Sequence, residues 1–235
     1  MTAGAGADEP VVVLFDIDGT LITTGGAGAK AWGLAFAELY GVSADIEDFT
    51  EAGMPDQEVV AVTFRHVIGR EPGPREISAL LAKYLEHLPE TVAESTTYTV
   101  FPGVHELLPR LCSTGHLLGL TTGNIEAAAR IKIARAGLNR YFPFGGYGSD
   151  SPDRAELTRI AIGRAATLLG AKPAESYVVG DTPRDVEAAH AAKAVAVGVA
   201  TGHFTVDQLR ESGAEFVLRT FADDPFPTLP TEAGP

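Results

Sequence analysis

The sequence predicts an α/β fold, a doubly wound parallel sheet with a small helical domain inserted into it. Three observations carry this. Four short runs, Val11 to Phe15, Leu117 to Thr121, Tyr177 to Gly180 and Ala194 to Val199, are apolar almost without alternation, as strands covered on both faces are. Each run stops at Gly, Asp or Thr and leads into a helical pattern, the alternation that builds parallel sheets. Finally, about a hundred residues separate the first run from the second, whereas a strand–helix–strand unit needs about 30.

The helices follow from spacing and punctuation. Asn124 to Ala136 carries Ile125, Ala128, Ala129, Ile133 and Ala136 in register and stops at Gly137, a residue suited to the left-handed turn that ends helices. Ser151-Pro152 is read as cap and first position of a helix bearing Leu157, Ile160, Ala161, Ala165 and Leu168. Thr182-Pro183 repeats the signal for a helix to about Ala192. A weaker fifth strand is expected around Phe144 to Gly148.

The long interval holds three helical patterns: Ala27 to Tyr40, Gln57 to Ile68 and Arg75 to Leu88. They form a helical domain that leaves the sheet beside the carboxyl end of the first strand, where a lid belongs. Trp32 and Phe36 are assigned to its core. Residues 10–22 and 97–222 are therefore assigned to the sheet domain and 23–96 to the cap, with 1–9 and 223–235 as flexible ends. Gly25, Gly26 and Gly28 suit a hinge, a substrate loop or a simple linker.

Composition narrows the function. The chain has 235 residues, 45% of them hydrophobic, and a net charge of −13 from 31 acidic and 18 basic residues. Nucleic acid and anionic lipid both require clustered Lys and Arg, so neither is expected as a partner. A small molecule is. The lone Cys112 cannot form an internal disulfide and reads as a small packed side chain. The first ten residues lack the features of a secretory signal, and no apolar run approaches a membrane span. A cytoplasmic monomer or homodimer is expected.

In such sheets ligands bind outside the carboxyl ends of the strands, so the residues there matter most. The first strand ends on Asp16-Ile17-Asp18-Gly19-Thr20, and the second on Thr121-Thr122-Gly123-Asn124. The weaker strand runs into Asp150-Ser151-Pro152-Asp153-Arg154. A fourth edge reads Gly180-Asp181-Thr182-Pro183-Arg184-Asp185. Carboxylates crowded this way repel one another unless a cation shares the site. Hard oxygen donors without Cys or His select Mg²⁺, and Thr122 with the N–H of Gly123, opening a helix, would cradle a phosphate.

These motifs, in this order, resemble the haloacid dehalogenase (HAD) superfamily over about Val11 to Val217, in its phosphoglycolate-phosphatase-like branch with a helical cap. The resemblance implies a Rossmann-like core and a Mg²⁺-dependent phosphatase acting through an aspartyl phosphate. It implies Asp16 as nucleophile and Asp18 as general acid and then base. Thr122 corresponds to the Ser or Thr of the second motif. Mg²⁺ would be held by the Asp16 carboxylate, the Asp18 main-chain carbonyl and Asp181, with Asp185 a further ligand or a residue that orients one. Gly19, Thr20, Thr122, Gly123, Asn124 and Arg154 would surround the phosphate.

The family's third-motif Lys has no direct counterpart. Lys172-Pro173 precedes a strand and so lies at the wrong edge of the sheet, which leaves Arg154 as the substitute and Lys132 as the fallback. Of the six histidines only His203 lies near the expected crevice. Dehalogenation is disfavoured because Asp18 supplies a proton that a halide does not need. A sugar phosphomutase and a non-catalytic binding protein are the alternatives. The loop Glu51 to Asp56 departs from the Gly-Arg-Thr-Asp pattern of related caps, so the substrate is not legible.

Overall fold

The computed structural model describes residues 10–228 except 45, 47, 48 and 52; the expected flexible end at 1–9 lies outside them, as do residues 229–235. Its centre is a six-stranded sheet in the order β5-β4-β1-β6-β7-β8, every pair parallel. The strands are β1 (Val11–Phe15), β4 (Leu117–Thr122), β5 (Gly145–Tyr147), β6 (Glu175–Gly180), β7 (Val195–Val199) and β8 (Phe216–Leu218). β1 lies in the middle, and the chain winds to one side through β4 and to the other through β6. That reversal is where such sheets open a crevice.

Successive residues of β1 face opposite sides, as the period of a strand requires. Val13 and Phe15 enter one buried cluster with Leu118, Leu120 and Val179, while Val12 and Leu14 enter another with Ala161, Val178 and Ala196. Both faces are thus covered, which accounts for the unbroken apolar runs. Register matters for the site. Phe15 pairs with Leu120 on one side and Val179 on the other, so β1, β4 and β6 end level and deliver Asp16, Thr122 and Asp181 to one edge.

Helices α1 (Ala27–Tyr40), α2 (Asp56–Ile68) and α3 (Pro74–Glu94) pack around a cluster that includes Trp32, Phe36, Val60, Phe64, Leu80 and Tyr84 and also takes in Ile125 and Ala128. Trp32 lies flat on Tyr84, with ring centroids 4.0 Å apart and planes 3° from parallel. Two connections join this cap to the sheet domain. They pair as a short antiparallel ribbon, β2 (Ile22–Thr23) with β3 (Thr99–Val100), and above it the Ser95 hydroxyl donates to Thr24 O at 2.8 Å.

Several expectations need correcting. The helix after the second motif, α5 (Glu126–Ala134), starts two residues later than expected and ends two earlier. Helix α6 (Arg154–Leu169) is capped by Asp153, not Ser151, because the Asp153 side chain accepts from Ala155 N and Glu156 N. Cys112, at the end of α4 (Val104–Ser113), is exposed instead of packed. The segment from Asp223 was expected to be loose, yet Phe226 is buried and stacks on Phe15 at 6.3 Å. Its ring closes the bottom of the core, a contact that no local pattern announces.

Candidate active site

The site is built where the central strands end. Asp16 follows β1 directly, its N–H bonded to Val179 O at 2.9 Å. Asp181 follows β6, and Asp185 lies in the first turn of α7 (Pro183–Ala191), where its carboxylate accepts from Thr182 N at 3.1 Å and Thr182 Oγ1 at 2.7 Å. Asp16, Asp181 and Asp185 are all buried, and one carboxylate oxygen from each lies within 4.8 Å of the others.

The backbone closes tightly over this group. Gly19 has φ +83°, and a Cβ there or at Gly202 would run into the Asp181 carboxylate, so only glycine lets both loops approach it. Thr20 Oγ1 donates to Asp181 Oδ1 at 3.1 Å. Thr20 and Gly19 therefore sit against Asp181 and do not line the cavity that holds Asp16 and Asp18.

Electrostatics makes the arrangement costly by itself. Three buried carboxylates face one cation, Arg154, whose Nη2 lies 3.2 Å from Asp16 Oδ2 and also pairs with Asp185. Burial, then Asp185 and Asp18, push the Asp16 carboxyl up to about 6, although Arg154 pulls it down. Burial, Asp185 and Asp16 push Asp181 up to about 8. Carboxylates held this way prefer protons or a metal to empty charge. The donor set is all oxygen and two negative charges in excess of Arg154, which fits a hard divalent cation.

Arg154 does more than pair. Its Nη1 donates to Gly53 O in the cap at 3.3 Å, and its buried Nε has no partner among the described residues. An unpaired buried donor of a charged group is expensive, and the residue that carries it lines the cavity. The expected substitute for the third-motif Lys is thus in contact with the expected nucleophile.

A second cation, Lys132 of α5, was the fallback in the sequence and proves central. Its Nζ donates to Asp18 Oδ2 at 2.7 Å and Asn124 Oδ1 at 2.6 Å. Asn124 Nδ2 in turn donates to Asp18 Oδ2 and to Thr122 Oγ1, each at 2.8 Å. Burial alone would depress the ammonium, but Asp18, Tyr84 and Asp56 outweigh it and raise its pKa, keeping it charged. The Asp18 side chain is 40% exposed against 4% for Asp16, so Asp18 stands at the mouth of the site with its carboxylate aimed by Lys132 and Asn124. The signal was legible: Lys132 lies two helical turns from Asn124, on a face where Ala128 and Ala129 are buried.

Asp56, the first residue of α2, was missed as a functional position. Its carboxylate accepts from Ile125 N at 2.8 Å and its own N–H donates to Gly123 O at 2.9 Å. The first N–H groups of α5 are therefore taken, Ile125 by Asp56 and Glu126 by Ser149 Oγ at 3.3 Å. Thr122 and Gly123 form the turn before the helix instead of opening it, and both line the cavity. Burial pushes Asp56 up to about 6, with Lys132 opposing. No pattern within the cap signals this contact, because its partner is 69 residues away. Beyond it, Arg184 of α7 reaches Glu51 of the cap at 2.9 Å. His203 is exposed, beside a neighbouring crevice shared with Asp181.

Between cap and sheet lies a cavity of about 240 Å³, with Asp16, Asp18, Thr122, Lys132 and Arg154 at its base. The arrangement offers a buried carboxylate, a guanidinium against it, a second carboxylate at the mouth and a triad able to hold a metal ion. The family model for haloacid dehalogenase-like hydrolases matches residues 11–193. The chain is 30% identical over 220 residues to a protein named "Probable phosphatase IndB" from Dickeya dadantii (strain 3937), covering 90% of each chain. It is 27% identical over 216 residues to a phosphoglycolate phosphatase from Yersinia pestis, again covering 90% of each. Among solved structures, CbbY from Rhodobacter sphaeroides in complex with phosphate is alike in fold, with a TM-score of 0.71 at 21% identity over 90% of this chain and 95% of that one.

Proposed function

The chain belongs to the haloacid dehalogenase-like hydrolases, and from that premise we propose that it is a Mg²⁺-dependent phosphatase that hydrolyses a small-molecule phosphate monoester through an aspartyl phosphate on Asp16. The observation that carries this reading is the Asp16 carboxylate, buried at the end of β1 with Arg154 at 3.2 Å and two further carboxylates alongside.

In the first step a carboxylate oxygen of Asp16 bonds to phosphorus while the ester P–O bond breaks, and the departing oxygen takes its proton from Asp18. In the second, Asp18 removes a proton from water, whose oxygen attacks phosphorus and releases Asp16. One group serves as acid and then base because its two tasks are opposite halves of one cycle. Arg154 stabilises the phosphoryl oxygens, its Nη2 on Asp16 and its unpaired Nε supplying donors in a buried site where such donors count most. Asp16, Asp181 and Asp185 would hold Mg²⁺, which neutralises the charge that gathers as phosphate meets carboxylate. Thr122, Gly123 and Asn124 stand at the phosphate end of the cavity.

The site also speaks to the alternatives. Arg154 paired with Asp16 and Asp185, with Asp181 in the same carboxylate cluster and Asp18 lining the same cavity, supports an enzyme over a binding protein. The test is phosphate release from nitrophenyl phosphate. It should require Mg²⁺, stop with chelator and be absent in Asp16→Asn, which preserves shape but cannot attack. Release at an unchanged rate in Asp16→Asn would rule this reading out.

A further inference from the structure

Beyond the chemical groups the cavity wall is neutral. Asp16, Asp18, Asp56, Lys132 and Arg154 are its only charged lining residues among those described, and all five lie at the sheet end or along the docking seam. The part that would surround a leaving group is formed by Gly28, Trp32, Ile46, Met54, Val59 and Tyr84. Its polar side-chain groups are the uncharged Tyr84 and Thr24 hydroxyls. These suit a hydroxyl or carbonyl oxygen. A second anion would need more.

The two cations cannot supply it. Arg154 is committed to Asp16, Asp185 and Gly53 O, and its one unpaired donor, Nε, is assigned to the transferring phosphoryl group. Lys132 has three donors, of which two meet Asp18 and Asn124, and the Tyr84 hydroxyl lies beside the same ammonium. With Asp18 protonated for the first step, Asp56 balances Lys132, so the mouth has no positive charge to spare. A second anion buried there without a cation of its own is disfavoured.

Size points the same way. At about 240 Å³ the cavity is below the roughly 300–1,000 Å³ that hold drug-sized ligands. We infer that the site takes compact monophosphates whose leaving group carries no negative charge, and discriminates against esters that bear a carboxylate or a second phosphate. This rests on the phosphatase reading above.

The test is a set of matched pairs assayed with Mg²⁺: hydroxyethyl phosphate against phosphoglycolate, glycerol phosphate against phosphoglycerate, and nitrophenyl phosphate against pyrophosphate. The neutral member of each pair should have the higher kcat/KM, by a factor on the order of 10². Met54→Lys, which places an ammonium on a side chain of similar length in the neutral wall, should move the phosphoglycolate ratio about tenfold toward the anion. Equal or better turnover of phosphoglycolate, phosphoglycerate or pyrophosphate by the wild type would overturn the inference while leaving the phosphatase reading standing. So would a Met54→Lys ratio that does not move. If no phosphate ester is hydrolysed, nitrophenyl phosphate included, the phosphatase reading fails and this inference with it.

Discussion

The Arg154 guanidinium stands 3.2 Å from the Asp16 carboxylate, and both side chains are more than nine-tenths buried. A cation so placed lowers the Asp16 carboxyl against the burial that raises it, and on the proposed reading it offers donors to the phosphoryl group. It also opposes the dipole of the helix it begins, since cations are unfavourable in a helix's first turn, a local cost consistent with selection for the contact.

Arg154→Ala should therefore lower kcat/KM by a factor on the order of 10² to 10³, the loss typical of removing a donor to developing charge. Arg154→Lys should recover only part of this, because an ammonium cannot reach Asp16, Asp185 and Gly53 O from one planar fork. Steady-state kinetics at saturating Mg²⁺ decide the point, and wild-type constants in the Ala variant would remove Arg154 from the chemistry.

Asp18→Ala should cost more for alkyl phosphates than for nitrophenyl phosphate, because alkoxides need the proton and nitrophenolate hardly does; general acid catalysis is worth about 10² to 10⁴. Lys132→Met should give the same pattern in weaker form, about 10 to 10² on alkyl esters, since Lys132 works by aiming Asp18. A uniform loss across leaving groups in Lys132→Met would assign the lysine to structure alone.

Mg²⁺ should stabilise the fold, and more so as pH rises. Asp16 and Asp181 have folded-state pKa values raised to about 6 and about 8. For a carboxyl the raised value means that stability is present at low pH and is lost as pH climbs through the folded pKa. The metal-free protein should therefore lose stability between about pH 5 and pH 8. Mg²⁺ competes with protons for the same oxygens, so its increment should be small at pH 5 and approach about 2.7 kcal/mol at pH 8 with the ion at a hundred times its Kd. Thermal melts with and without Mg²⁺ at the two pH values measure this. An increment independent of pH would argue that the triad is not the metal site.

Much of this was legible in the sequence because the sheet is covered on both faces. Unbroken apolar runs located β1, β4, β6 and β7, and whatever follows a parallel strand must lie at the crevice, so Asp16, Thr122 and Asp181 could be placed without knowing a single contact. Arg154 was placed by the same logic. What escaped depends on pairing across distance. The two-residue β2 and β3 have no pattern of their own and form only because distant residues meet, Thr23 with Thr99 and Ile22 with Val100. β8, three residues with one buried side chain, is an edge strand too short to announce itself. Asp56 entered the site from the cap, and Phe226 entered the core from a Pro-rich tail, by docking that no local spacing encodes.

On the proposed reading Asp16 carries the phosphoryl group between the two steps. The most direct measurement is mass spectrometry of the Asp18→Asn variant, mixed with nitrophenyl phosphate and Mg²⁺ and quenched in acid. This leaving group departs without a proton, whereas the second step still needs the base, so the phosphoenzyme should accumulate. The peptide containing Asp16 should gain one phosphoryl group, which Asp16→Asn in the same background should abolish. Phosphate released with no adduct on that peptide, at a rate that Asp16→Asn leaves unchanged, would contradict it.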